Sequence, residues 1–270
     1  MRSEDSPDSS LRLKQHWDTT WTSDYSVEER ITDPYIGIRD SGLLLEVLEN
    51  LWWRAKPRIL EAGCGVAIWQ VELERYGHSI IGIDSSLAGL KAAATYKGTL
   101  SLVNGDILQF PFRDASFDAV LSWGVVEHFE DLNLLTLSLR EKTRILKLGG
   151  RLFITVPAEN LFIRMKSYTR TLPLFRLFTS PDPPFFEHKF RVPRFLEMLQ
   201  RAGFTLLTWR YHAAEFGLAN TIPGLFQARG TDNKYMGLSL FGKIIYACVV
   251  RWFPLLTAHQ IFAIAEKRSS

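Results

Sequence analysis

The stretch RILEAGCGVAIWQVELERYGHSIIGID, residues 58–84, decides how the chain folds. RILEA (58–62) has the length and composition of a strand, and the pattern from Ile68 to Tyr76 is helical. Between them, Glu61-Ala62-Gly63-Cys64-Gly65 makes a turn whose glycines let the backbone pass close to a ligand, where a Cβ would collide. The same glycines would also serve a plain tight turn from strand to helix. SIIGID (79–84) is a second apolar strand, closed by Asp84 about twenty residues after the glycines.

The alternation continues outward from this unit. LAGLKAAATY (87–96) is a helix, TLSLV (99–103) and FDAVLSW (117–123) are strands, LNLLTLSLREKTRIL (132–146) is an amphipathic helix and RLFITVP (151–157) is a further strand. Gly149 and Gly150 are expected to end the helix in a left-handed terminus. Ahead of the unit, SGLLLEVLENLWW (41–53) reads as a helix that packs on the sheet. Beyond it, VPRFLEMLQRAGF resumes a helix that ends at Gly203, and FTLLTWRYH (204–212) and HQIFAIAEK (259–267) are two late strands. Nearly all-apolar strands alternating with helices imply an α/β fold: a doubly wound, mostly parallel, seven-stranded Rossmann-like sheet with helices on both faces. Its ligand site is expected at the carboxyl ends of the strands, where the strand order reverses.

Three places at that end carry chemistry. Gly63 and Gly65 open the backbone to a ligand. Asp84 can accept from both hydroxyls of a ribose, although an Asp before Ser-Ser-Leu is equally suited to cap a helix. Asn104-Gly105-Asp106-Ile107 ends the third strand, with Asp106 able to accept from an adenine amino group and Ile107 offering an apolar face to the ring.

With these residues in hand, the run from Arg58 to Pro157 resembles the class I S-adenosylmethionine-dependent methyltransferases, and especially the type 11 small-molecule group. The matching pieces are ILEAGCG, IIGIDSS, NGDILQFPFRDASFDAVLSWGVVEHFED and LGGRLFITVP, in order and at the family's spacing. EHKFRVPRFLEMLQRAGF (187–204) resembles the helix before the family's sixth strand. The resemblance implies S-adenosyl-L-methionine as cofactor. It places Glu61, Gly63 and Gly65 along the methionine portion, with Cys64 turning its main chain to the cofactor. Asp84 would hold the ribose, Ser85 and Ile107 would flank adenine, Asp106 would meet its amino group, and Trp123 and Gly124 would border the cofactor and open onto the substrate. Two positions depart from the family pattern: Ala67 stands where a third glycine is common, and Glu61 where Asp is common.

Other functions remain open on these residues. A nicotinamide-dependent oxidoreductase would share the glycine turn and Asp84, but prefers a glycine where Ile68 stands and gives no reason for Asp106. A noncatalytic cofactor-binding or partner-binding protein would use the same fold and the same residues.

For catalysis itself the candidate is His128, just beyond the fourth strand, since imidazole suits proton removal near neutral pH; the alternative is that Glu127-His128 only orients a helix start. Glu187-His188 forms a second such pair, and a divalent-metal site from the four residues is the lesser alternative because their spacing is not diagnostic, so no metal is expected. HWDTTWTSDY (16–25), within a tail and lid region of residues 1–40, is read as a cover for the site or as packing against the sheet, with Trp17 and Tyr25 as its test positions. Residues 41–270 form the methyltransferase domain, with specificity insertions at about 158–193 and 213–257.

The 270 residues, 46% of them hydrophobic, carry a formal charge of only +3 with no Lys/Arg block, so no nucleic-acid partner is expected. Two cysteines and no signal-peptide layout favour a cytoplasmic location. LFIRMKSYTRTLPLFRLF (161–178) and Leu238 to Thr257 mix apolar and basic residues. Lys243, Arg251 and Pro254 argue against a membrane span in the second run. Both runs are expected to bury themselves over the open end of the sheet, against a small-molecule acceptor. The alternative is peripheral contact with a membrane and a lipophilic acceptor.

Overall fold

This computed structural model describes residues 9–22, 42–51, 55–170, 185–221, 223–226 and 238–268. Seven strands form one sheet in the order β3-β2-β1-β4-β5-β7-β6. They are β1 (Ile59–Ala62), β2 (Ile80–Asp84), β3 (Ser101–Asn104), β4 (Phe117–Trp123), β5 (Leu146–Pro157), β6 (Phe204–His212) and β7 (Gln260–Lys267). The first five pair in parallel, and β7 runs antiparallel between β5 and β6. The expected fold class is the observed one. Strand order reverses between β1 and β4, so the crevice lies past Ala62 and Trp123.

The helices are α1 (Ser9–Thr22), α2 (Leu43–Leu51), α3 (Ile68–Glu74), α4 (Leu87–Tyr96), α5 (Leu132–Ile145), α6 (Leu161–Arg170), α7 (Val192–Arg201), α8 (Ala214–Thr221), α9 (Pro223–Phe226) and α10 (Leu240–Ile245). Both faces of the sheet are covered. On one, Leu135 and Leu139 of α5 with Phe195 and Leu199 of α7 pack on Val120 and Ile154. On the other, Val47 and Leu51 of α2 with Trp69 and Leu73 of α3 pack on Leu121 and Phe153. Such fully buried Leu and Phe side chains contribute about 1.5–3 kcal/mol each, and β4, buried on both faces, is mostly apolar, with Asp118 and Ser122 as its polar residues.

The structure corrects two expectations and breaks one apolar run into short turns. Helix α5 ends at Ile145, before the glycines, and Gly149 (φ 69°) lies inside β5. There the register jumps from Phe117↔Leu146 to Ala119↔Arg151, so Gly149-Gly150 form a bulge instead of a helix terminus. Lys147, in the bulge, donates from Nζ to both carboxylate oxygens of Asp118, at 3.0 and 2.9 Å. Strand β3 begins at Ser101, two residues later than its composition suggests. The apolar run 238–257 is no single helix: α10 passes into a π-helical turn, Tyr246–Val250, and then a 3₁₀ turn, Pro254–Leu256. Among the described residues no helix is long and apolar enough to cross a membrane.

Candidate active site

At the end of β1 the chain turns through Gly63 (φ 80°), Gly65 (φ 51°) and Ala67 (φ 57°). The left-handed conformation suits glycine and strains alanine, so Ala67, the residue at the entry to α3, holds the backbone that the commoner glycine would hold freely. A Cβ on Gly63 would stand 2.6 Å from Val125 Cγ2, and one on Gly65 would stand 2.5 Å from Trp21 Cζ2. The amides of Gly63 and Cys64 both donate to the Ile83 carbonyl, at 2.8 and 3.1 Å, and the Cys64 carbonyl accepts from the Ala67 amide. The main chain of Cys64 is therefore spent inside the turn. Its side chain is buried, and burial raises the thiol pKa well above the usual range.

Asp84 joins this turn to the next helix. Its Oδ2 accepts from the Gly65 amide at 2.7 Å and its Oδ1 from the Ser86 amide at 2.8 Å. Burial still lifts the Asp84 carboxyl above the usual range, against the pull of those two amides. Glu61, 4% exposed, accepts from the Gln70 amide at 3.2 Å, and burial first, with the Asp84 charge behind it, holds its pKa well above normal. Ser85 is exposed; its carbonyl and that of Asp84 accept from Asn104 Nδ2. The ends of β2 and β3 are thus tied together, which sets Asp106 beside Asp84. Asp106 is exposed and turns the chain by accepting from the Leu108 amide at 2.8 Å, while Ile107 is buried.

On the β4 side, Gly124 (φ 63°) donates its amide to Thr155 Oγ1 at 3.1 Å. The Trp123 ring stacks between Trp69, at 4.3 Å, and Phe262, at 5.8 Å. It is the inner wall of the crevice more than its rim. His128 sits in a 3₁₀ turn, Val126–His128, 8% exposed, with Nδ1 2.9 Å from the Phe186 carbonyl. A carbonyl only accepts, so Nδ1 carries the proton and Nε2 is left with the lone pair. Burial lowers the His128 pKa, which keeps the ring neutral at neutral pH. The rings of Trp17 and Phe186 meet it edge-on at 5.0 and 4.9 Å. His188 donates its amide to the Glu127 carbonyl at 2.8 Å and has Nε2 3.0 Å from the Glu130 carbonyl. Among the described residues no three His, Cys, Asp or Glu side chains converge as metal ligands would.

Helix α1 lies across this crevice. Trp17 and Trp21 stack at 5.6 Å; Asp18 Oδ1 accepts from Ser86 Oγ at 2.6 Å and from the Ala88 amide at 3.3 Å. Tyr25 falls outside the described residues.

Sequence reasoning passed over Asp18, the Phe186 carbonyl and Lys142. The first two make contacts 68 and 58 residues away along the chain, which periodicity does not reveal. Lys142 had a signal: it occupies the buried stripe Leu135, Ser138, Leu139, Lys142, Ile145, where a cation needs a reason. Its Nζ donates to Ser138 Oγ at 2.7 Å, and burial pulls its pKa down to about 7. Glu127, the carboxylate in its field, is 2% exposed, has Oε2 without a partner among the described residues, and is pushed by burial up to about 8.

Residues 60–154 match the sequence profile of a methyltransferase domain family. A demethylmenaquinone methyltransferase of Corynebacterium kroppenstedtii is 30% identical over 185 residues, which cover 60% of this chain and 78% of that protein. The chain belongs to the class I S-adenosylmethionine-dependent methyltransferases.

A second relative of this methyltransferase, from Encephalitozoon cuniculi, whose own assignment as a methyltransferase is provisional, is 34% identical over 123 residues, 44% of this chain; the match spans about half (53%) of that relative's length. In fold, the methyltransferase resembles the Burkholderia thailandensis 1,6-didemethyltoxoflavin-N1-methyltransferase, solved with 1,6-didemethyltoxoflavin and S-adenosylhomocysteine. The TM-score is 0.57 at 14% identity, over 100% of this chain and 94% of that one. Its cofactor is S-adenosylmethionine. The crevice residues suit such a group: a carboxylate at the end of β2 and an exposed Asp106 beside an apolar Ile107, next to a glycine turn on which Val125 and Trp21 pack closely.

Proposed function

We propose that the methyltransferase acts on a small lipophilic acceptor, with His128 as the base that takes the proton the acceptor loses. The carrying observation is the setting of His128: Nδ1 is committed to the Phe186 carbonyl, Nε2 keeps its lone pair, and aromatic rings of Trp17 and Phe186 frame the imidazole. The Corynebacterium relative is named for demethylmenaquinone, a lipophilic quinone, which supports the same acceptor class here.

In this reading Gly63, Gly65 and Glu61 line the methionine portion of the cofactor, with Cys64 shaping the turn. Asp84 holds the ribose through the lone pairs its two amide partners leave over, Ser85 and Ile107 flank adenine, and Asp106 accepts from its amino group. Trp123 backs the site and Gly124 borders its acceptor side. Helix α1, latched by Asp18, is the described part of the lid, and the segments 158–193 and 213–257 supply acceptor specificity. The cofactor brings a methyl group already activated on a sulfonium. The protein supplies alignment, an effect worth up to about 7–11 kcal/mol, and a dry pocket. An acceptor of this class partitions into membranes, so the protein works in peripheral contact with one.

The test is transfer of labelled methyl from S-adenosylmethionine into an organic-solvent extract and an aqueous extract of cells. Label in an extractable lipid is the expected result; label confined to water-soluble products would sink the acceptor class.

A further inference from the structure

The segment from α10 to the 3₁₀ turn is built in two halves. Its inner side packs into a small core of its own, where Val250 meets Leu218 of α8 and Phe226 of α9, with Ile245 and Tyr246 against them. Its outer side is apolar and uncovered. Leu240 is 79% exposed, Trp252 72%, Phe253 64% and Ile244 51%, with Phe241 at 47%. The expectation that this run would bury itself over the sheet is wrong for its outer half. Folding is served by the inner residues, and nothing in the fold requires large apolar side chains on the other side.

The charges carried by the segment itself have one sign, although Glu215 of α8 lies in the field of Tyr246. Lys243 and Arg251 are exposed beside the apolar side chains, and no Asp or Glu occurs from 233 to 265. Helix α6 lies next to the 3₁₀ turn and adds Met165, 55% exposed, and the exposed Arg164, in a stretch that has no carboxylate from 160 to 181. Position completes the picture. Because β7 is antiparallel, its first residue Gln260 pairs with Pro157, so the run before it stands at the carboxyl end of the sheet, the end that holds the site.

We infer that this face, led by Leu240, Ile244, Trp252 and Phe253 and flanked by Lys243 and Arg251, seats the protein on an anionic lipid bilayer. Aliphatic and aromatic side chains enter the boundary between headgroups and acyl chains, and the cations meet anionic headgroups. A second copy of the chain would bring the same unbalanced cations against each other, which disfavours a dimer across this face. The inference rests on the lipophilic acceptor proposed above and adds the route: the site opens at the end of the molecule that touches the lipid.

Flotation of the full chain with phosphatidylcholine vesicles, with and without about 30% phosphatidylglycerol, tests the inference. Binding to the anionic vesicles, at least fivefold weaker to the neutral ones and reduced by salt, is expected. Trp252→Ser with Phe253→Ser should lower binding at least tenfold, and Lys243→Gln with Arg251→Gln should remove the preference for anionic lipid. Calorimetric titration with S-adenosylmethionine on each preparation confirms the fold, since these positions lie outside the cofactor crevice. Wild-type protein that binds cofactor but stays in the soluble fraction overturns the inference, as do variants that bind cofactor and float like wild type. So does a concentration-dependent dimer that the Trp252/Phe253 variant dissolves while no vesicles bind. Flotation without any cofactor binding would instead overturn the methyltransferase site and leave the lipid face standing.

Discussion

The two halves of the sheet are organised on different principles. Around β1, β2 and β3, most of the candidate site residues are fixed by short polar contacts: Gly65 and Ser86 to Asp84, Asn104 to the Asp84 and Ser85 carbonyls, Leu108 to Asp106. Around β5, β6 and β7 the polar contacts tie the frame together, as Arg151 to the Asn50 carbonyl, Arg210 to Glu46 and Lys267 to the Leu146 carbonyl do, while apolar side chains of α6, α10 and the turns after it face outward. A cofactor with fixed hydroxyls and an amino group calls for fixed acceptors. An apolar acceptor is recognised by area and shape, which many sequences can supply. The first half is a template, and the second is a surface.

The largest effect expected is at the junction of the two. His128→Ala should lower turnover by about 10²–10⁴ while cofactor affinity, measured by calorimetry, stays near wild type. Equal losses in both would make His128 a structural residue and blur the division between the halves. Because burial lowers the His128 pKa, the ring stays a base below the usual imidazole value, and the acid limb of the kcat/KM profile should lie below pH 6.5.

On the template side, Asp84→Ala and Asp106→Ala should each weaken S-adenosylmethionine and S-adenosylhomocysteine roughly ten- to a hundredfold, or about 1.5–3 kcal/mol. Asp84 should sit at the upper end, since it also orders Gly65 and Ser86, and Asp106, being exposed, at the lower. Unchanged affinity in folded protein would remove either residue from the cofactor site.

A third comparison uses pH. The Glu127 carboxyl is raised to about 8, so the folded chain retains a proton that the unfolded chain releases near 4.5. The stability tied to that proton is full below pH 4.5 and is lost as pH rises toward 8. Lys142, lowered to about 7, adds no slope below that pH, since it is protonated in both states. Glu127→Gln mimics the protonated acid. Urea melts at pH 5 and pH 7 should therefore show the variant gaining on wild type by about 1–3 kcal/mol between the two. A constant difference would mean that Glu127 is ionised in the fold.

The smallest effect is at Ala67. Glycine there should relieve the positive φ and stabilise the protein by up to about 1 kcal/mol, partly offset by chain entropy, as thermal melts would show.

Those contrasts also explain what could be read from the sequence. The helix 87–96 and the strands 117–123 and 204–212 match their expected bounds to the residue. Gly63, Asp84 and Asp106 were legible because a turn or a strand end fixes a residue's place from its neighbours alone. Gly149 was misplaced because left-handed backbone suits a bulge as well as a helix terminus, and only the register with β4 distinguishes them. Asp18 on Ser86 and Phe186 on His128 depend on how distant segments fold back, as does the side of the 240–255 run that ends up outside.

The indole of Trp21 rests against the turn at Gly65 and beside Gly89, on a helix latched through Asp18. That arrangement bears on timing. On the lid role proposed for α1, spent cofactor would leave past the same helix, and opening α1 would compete with chemistry for control of the cycle. A rapid-quench experiment should then show a first turnover faster than those that follow. Asp18→Ala, by loosening the latch, should shrink that burst and raise the steady rate, even as it costs cofactor affinity.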